Sequence, residues 1–162
     1  MISLSADGNK IVYYEEQEKK YYSYNFITNK KLVFAKDIKF PLFDEENDVP
    51  DDPNAYGIAK WMDDNQHLIV YDRYDLWLVD ARGLKPSIAL TNGRKNKLNY
   101  RFVETDNDRK TLSEKEGILI KGFNENDKSE SLSYLEIATR TLSPINTFPM
   151  HLTNIVGSKQ SN

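Results

Sequence analysis

An all-β chain of about three repeated four-stranded antiparallel units is what this sequence predicts, and three features predict it. Aromatic residues make up 12% of the 162 residues, and ten of them are Tyr. Such side chains fit a pleated, half-buried sheet surface. Turn signals and short apolar strands recur along the chain in the same order. No stretch carries an apolar stripe of helical length. The one helical candidate, Thr111 to Glu116 with Ser113 as its cap, is too short to stand alone.

The elements follow in order. Ser5-Ala6-Asp7-Gly8-Asn9 is a turn that feeds a strand from Lys10 to Tyr14. A polar stretch, Glu15 to Lys20, leads to a strand from Tyr21 to Ile27. Thr28-Asn29-Lys30 then turns the chain into a strand from Lys31 to Ala35. Asp44 to Asn54 is dense in acid and interrupted by Pro50 and Pro53, so it is a loop. The second unit has strands from Tyr56 to Trp61, His67 to Tyr71, Tyr74 to Val79 and Ser87 to Leu90, with a turn at Asp63-Asp64-Asn65. The third has Tyr100 to Glu104, Gly117 to Phe123, Leu132 to Ile137 and a short Leu142 to Ile145.

The units align. Ile11, Leu68 and Ile118 open equivalent strands at intervals of 57 and 50 residues. Tyr24, Trp77 and Tyr134 occupy the next strand at intervals of 53 and 57. Four short strands per repeat at about this period mark a β-propeller. Residues 1–162 are therefore expected to form a partial propeller, with blades at 1–43, 55–91 and 99–148 and an acidic loop at 44–54. A β-sandwich or closed barrel is the alternative all-β architecture.

Composition narrows function. The net charge of -3 lacks the excess of cations that a nucleic-acid surface needs to neutralise phosphates. Lys19-Lys20 and Lys30-Lys31 sit among acids in strand connections. Absence of Cys removes disulfides, thiolate nucleophiles and Cys-based zinc sites. No apolar run approaches the ~20 residues of a membrane span, so neither a nucleic acid nor a membrane is expected as a partner. Met1-Ile2 has no signal-peptide character.

Catalytic and ligand motifs are missing as well. Gly157-Ser158-Lys159-Gln160 does not fit the Gly-x-Ser-x-Gly nucleophile elbow. His67 and His151 read as surface or turn residues, and no pair of His has ligand spacing. Asp44-Glu45-Glu46-Asn47-Asp48 lacks the alternating spacing of a calcium loop. Asn124-Glu125-Asn126-Asp127, with Glu130 beyond, reads as a polar hairpin turn. The scattered glycines form no phosphate cradle. No catalytic residue, cofactor or metal is expected.

The distinctive stretch is Tyr71-Asp72-Arg73-Tyr74-Asp75-Leu76-Trp77. In a structural reading, Asp72-Arg73 make a tight turn, Asp75 ties down nearby backbone N–H groups, and the aromatics pack between sheets. In a functional reading, Asp72, Arg73 and Asp75, with Arg94 from the basic run after the Asn92-Gly93 turn, form a polar rim facing a channel or partner domain.

Tyr56-Gly57-Ile58-Ala59-Lys60-Trp61, then Tyr71 to Trp77 with Asp80, then Leu90-Thr91-Asn92-Gly93-Arg94, resemble a middle blade of the amino-terminal propeller of prolyl oligopeptidase-family serine peptidases. The likeness is to large bacterial members of the dipeptidyl- and acylaminoacyl-peptidase type. It runs from about Ser3 onward and is strongest from Tyr56 to Phe102. Gly157-Ser158-Lys159 resembles a degraded connection to a further blade. The resemblance implies a non-catalytic segment that gates peptide substrates and supports an α/β-hydrolase domain carrying the Ser-Asp-His triad. It also implies an exported or periplasmic parent. No residue here matches a catalytic motif of that family. A free-standing interaction scaffold of propeller type is the alternative. Either way, an open arc of blades leaves strand edges and faces unpaired at both ends, so self-association is expected.

Overall fold

The computed structural model describes residues 1–153 and 155, and Gly157-Ser158-Lys159 lies outside the described residues. The described chain is all-β apart from a single 3-10 turn at Arg94–Asn96. Its strands are β1 (Ile2–Leu4), β2 (Lys10–Glu15), β3 (Lys20–Asn25), β4 (Lys30–Val33), β5 (Ile58–Met62), β6 (His67–Tyr71), β7 (Leu76–Asp80), β8 (Ile88–Ala89), β9 (Leu98–Phe102), β10 (Thr111–Leu112), β11 (Gly117–Asn124), β12 (Glu130–Glu136) and β13 (Thr141–Phe148).

They form three sheets. The first has the order β1-β2-β3-β4, the middle β10-β5-β6-β7-β8, and the third β13-β12-β11-β9. Apart from β10, each sheet is an antiparallel meander of four strands. Ile11, Leu68 and Ile118 lie on β2, β6 and β11, the second strand of each meander. Tyr24, Trp77 and Tyr134 lie on β3, β7 and β12, the third. The strands correspond, but the registers do not. Ile11 pairs directly with Tyr24, whereas Trp77 pairs with Val70 and Tyr134 with Leu119.

The middle sheet is covered on both faces. Side chains alternate across a strand. Leu68, Val70, Val79 and Trp61 therefore pack with Val12, Tyr14, Tyr21 and Phe34 of the first sheet. Ile69, Tyr71, Leu76 and Leu78 pack with Tyr100, Ile118, Ile120 and Leu135 of the third. This explains the unbroken apolar run Leu68-Ile69-Val70 in β6, since a strand buried on both sides has no solvent face to alternate with. Each such side chain contributes about 1.5–3 kcal/mol when fully buried. Polar links join the layers too. The Ser23 hydroxyl donates to the Ala81 carbonyl at 2.5 Å, and the Trp61 indole N–H donates to Ser3 Oγ at 3.0 Å.

Several expectations are corrected. Thr111 to Glu116 is not helical: Thr111–Leu112 pairs parallel with Trp61–Met62, giving the middle sheet its fifth strand. Ser113 does organise the turn that follows, its carbonyl accepting from the Glu116 N–H. Parallel pairing of a two-residue strand leaves no local pattern to detect. The strand expected from Tyr74 begins at Leu76, because Tyr74 and Asp75 belong to the turn that Asp72 caps. β1 was not anticipated, and β13 is eight residues long rather than short. Pro144 sits where the β12–β13 register slips, so it interrupts the ladder without ending the strand.

Candidate functional site

The turn between β6 and β7, the loop from Thr91 to Lys97, the β11–β12 hairpin and the acidic loop 44–54 meet at one end of the three sheets. Asp72 organises the first of these. It is fully buried. Its Oδ1 accepts the N–H groups of Tyr74 and Asp75 at 2.6 and 2.8 Å, and its Oδ2 accepts the Trp77 indole N–H at 3.0 Å. An Asp that accepts two N–H groups just ahead of it is the device by which such residues start turns. Asp75 works across strands. Its Oδ1 accepts the Thr91 hydroxyl at 2.7 Å and the Gly93 N–H at 2.5 Å, and its Oδ2 accepts the Arg94 N–H at 3.3 Å. The Thr91 Oγ1 in turn accepts the Leu76 N–H at 3.0 Å. This chain of bonds holds the 91–97 loop against the β6–β7 turn.

The turn at Asn92-Gly93 is present, but not as a two-residue hairpin. Gly93 has φ -83, and the left-handed residue is Lys97 at φ 55. Glycine is required at position 93 for space: a Cβ there would run into the Leu98 carbonyl oxygen and the Tyr100 ring.

The two arginines reach the surface. Arg73 pairs with Glu46 at 2.7 Å and Glu125 at 2.9 Å, and its guanidinium lies 5.1 Å from the centre of the Tyr74 ring. Arg94 contacts Asp72 at 3.4 Å and Glu45 at 3.5 Å, and stacks 4.1 Å from the centre of the Phe40 ring. The acidic loop is therefore folded onto the cluster. The Glu45 N–H also donates to the Tyr56 hydroxyl at 2.8 Å. Glu125 accepts from the Tyr74 hydroxyl at 2.9 Å as well as from Arg73. Burial pushes the Glu125 carboxyl up, but the Arg73 and Tyr74 donors outweigh it and hold it below the ordinary glutamate range. The same pairing raises Arg73. Arg101 completes the group. It donates to the carbonyls of Tyr100 and Arg73 and lies 4.8 Å from the centre of the Tyr71 ring, and burial lowers it.

Asp72, Arg73, Asp75 and Arg94 thus sit within one connected cluster, with divided duties. The two carboxylates are interior braces, whereas the two guanidinium groups are partly exposed, and only that of Arg94 borders a recess. Beside Arg94 lies a recess of about 480 Å³ walled by Phe40, Trp77, Tyr100 and Leu142, with Arg140 at its edge. Aromatic walls and cationic edges suit a binding surface. Glu45, Glu46, Glu125 and Arg101 were not anticipated here. Their one signal in sequence is opposite charge on the separated segments 44–46, 73 and 125.

The histidines lie elsewhere. His67 opens β6 at the opposite end of the sheets, with Nδ1 2.5 Å from Asp64. His151 contacts Glu130 at 2.7 Å. Among the described residues, no group of three or more His, Asp and Glu side chains could hold a metal ion. No helix among them is long and apolar enough to cross a membrane.

Compared with protein-family models, with curated proteins and with solved structures, the chain finds no match in any of the three.

Proposed function

We propose that the chain is a non-catalytic segment of a β-propeller whose loop end is a recognition surface. One observation carries this reading: three consecutive four-stranded meanders are stacked face to face in the same strand order, the middle one buried on both faces. Propellers are built by repeating such a unit. The cluster of Arg73, Arg94, Phe40 and Tyr74 supports the recognition role, since guanidinium and aromatic groups are enriched where proteins bind partners.

The parent would be a prolyl oligopeptidase-like serine peptidase, in which this segment screens peptide substrates and supports a hydrolase domain. That identification is supported by the likeness at Tyr56–Trp61, Tyr71–Trp77 and Leu90–Arg94. An interaction scaffold of propeller type is the second reading, favoured by the charged and aromatic groups clustered around Arg94.

The test is chemical and genetic. The chain alone should not turn over fluorogenic peptides, and serine-directed inhibitors should label nothing in it. The reading frame of the intact gene should continue into a Gly-x-Ser-x-Gly segment with later Asp and His. Hydrolysis by the isolated chain would overturn the non-catalytic role. A stop codon directly after Asn162 would leave the scaffold reading in place of the peptidase one.

A further inference from the structure

The recess beside Arg94 continues past Phe40 into a second one. Phe40 lines both and is 39% exposed. The second recess, of about 420 Å³, lies between the start of β3 and the segment that follows β4. Tyr21, Phe34, Ile38, Leu42 and Phe43 wall it together with Phe40. Lys19, Lys20, Lys36 and Lys39 edge it, and among the described residues no carboxylate lines it.

Three of those lysines are uncommitted. Lys20 pairs with Glu18 at 3.3 Å. Lys19 Nζ stands 5.0 Å from the centre of the Phe43 ring. Among the described residues, no carboxylate lies within ion-pairing distance of Lys19, Lys36 or Lys39. Lys60, Arg82, Arg109 and Lys121 differ in this respect, since each has a carboxylate partner. The acids nearest the groove are already engaged. Glu18 accepts from Lys20 and the Tyr22 hydroxyl, and the two Asp37 oxygens accept the Ser87 N–H and hydroxyl. Glu45 faces Arg94, and Asp75 braces the 91–97 loop.

We propose that this lysine-edged groove, continued past Phe40 into the recess edged by Arg94 and Arg140, binds an extended acidic peptide whose apolar side chains enter the two hollows. Each hollow has the size and the apolar walls of a site that takes a side chain or small ligand. The charge at their edges selects the class of partner. Lys19, Lys36 and Lys39 stand on one side of Phe40, and Arg140 stands at the far edge on the other. Carboxylates spaced along a peptide would meet these cations while its apolar groups fill the hollows. The chain as a whole carries a net charge of -3, so it has no general attraction for acidic peptides. Binding of one would therefore report this local arrangement. The proposal rests on the loop end being a recognition surface and needs no peptidase parent.

Fluorescence anisotropy with fluorescein-labelled peptides of repeating Glu-Glu-Phe, Glu-Glu-Ala and Gln-Gln-Phe tests it. Glu-Glu-Phe should bind most tightly, and its affinity should fall as salt is raised, because exposed charge pairs are screened. Lys36→Glu combined with Lys39→Glu should weaken it by about tenfold. Lys30→Glu combined with Lys115→Glu, which changes the net charge equally but lies outside the groove, should leave it unchanged. Thermal melts establish that the variants are folded, and the salt series on the unaltered chain carries the test if one is not. Equal affinity for Gln-Gln-Phe, or affinity that salt does not alter, would overturn the acidic class of partner and leave a recognition surface standing. Equal losses in the two double variants would overturn the assignment to the groove. Failure of all three peptides to bind would remove both the proposal and the recognition reading beneath it.

Discussion

Replacing Asp72 tests whether the loop end is held together as described. The side chain is fully buried and accepts three N–H groups, from Tyr74, Asp75 and the Trp77 indole, with Arg94 at 3.4 Å. Asp72→Ala leaves those donors without their acceptor. Each buried donor left unsatisfied costs about 1–3 kcal/mol. The Trp77 indole and the Arg94 group can partly turn towards water, so the two backbone N–H groups dominate. The expected loss is about 4 kcal/mol, a large share of the roughly 5–15 kcal/mol that keeps a domain folded. Asp72→Asn keeps one oxygen for the two backbone donors but points an amide N–H₂ at the indole N–H. Its loss should be about 2 kcal/mol. Trp77→Phe removes the opposing donor, so Asp72→Asn should cost about 1 kcal/mol less in that background. Urea denaturation followed by far-ultraviolet circular dichroism measures the four proteins of the cycle. An Asp72→Ala chain within about 1 kcal/mol of the unaltered one would refute the bracing role. So would an Asp72→Asn cost that is the same with Trp or Phe at position 77.

Further predictions follow from the same geometry. Burial raises the Glu130 carboxyl, but the Leu152 N–H, Lys121 and His151 outweigh it and hold its folded pKa below the ordinary 4.5. Its contribution is therefore present above that value and lost as pH falls through the lower folded one; the Leu152 amide should lose hydrogen-exchange protection in that acid range and keep it at neutral pH. Gly93→Ala should destabilise more than Gly117→Ala, because the first Cβ meets the Leu98 backbone carbonyl and the second meets the half-exposed Tyr134 ring, which can swing away; equal melting temperatures for the two variants would contradict this. The exposed Arg73–Glu46 pair by itself should contribute no more than about 1 kcal/mol, yet a Glu-specific protease should cut the 44–54 loop faster in an Arg73→Ala variant.

Some features were legible from local pattern and others were not. Most strands were found because turn signals bracket runs of aromatic and β-branched residues, as in Lys10–Glu15 and His67–Tyr71. The role of Asp75 in tying down backbone N–H groups was legible because its partners lie nearby in the chain or just past the next strand. Glu125 and Glu46 looked like solvated acids in polar turns, and nothing in their own neighbourhoods points to Arg73. β10 is two residues long and pairs with a strand some fifty positions earlier, so it has no periodicity to detect.

Local chemistry therefore determined the all-β class, the strand order within each meander, and the turns at Asp72 and Asn92-Gly93. Those depend on backbone preferences and on side chains within a few residues of each other. Tertiary structure alone decided that the middle sheet is covered on both faces, that the acidic loop folds onto Arg73 and Arg94, and that the segment after β13 folds back onto Glu130. Each of these depends on which surfaces and charges meet after the chain has turned back on itself, and alternation along a strand says which residues share a face but not what that face meets.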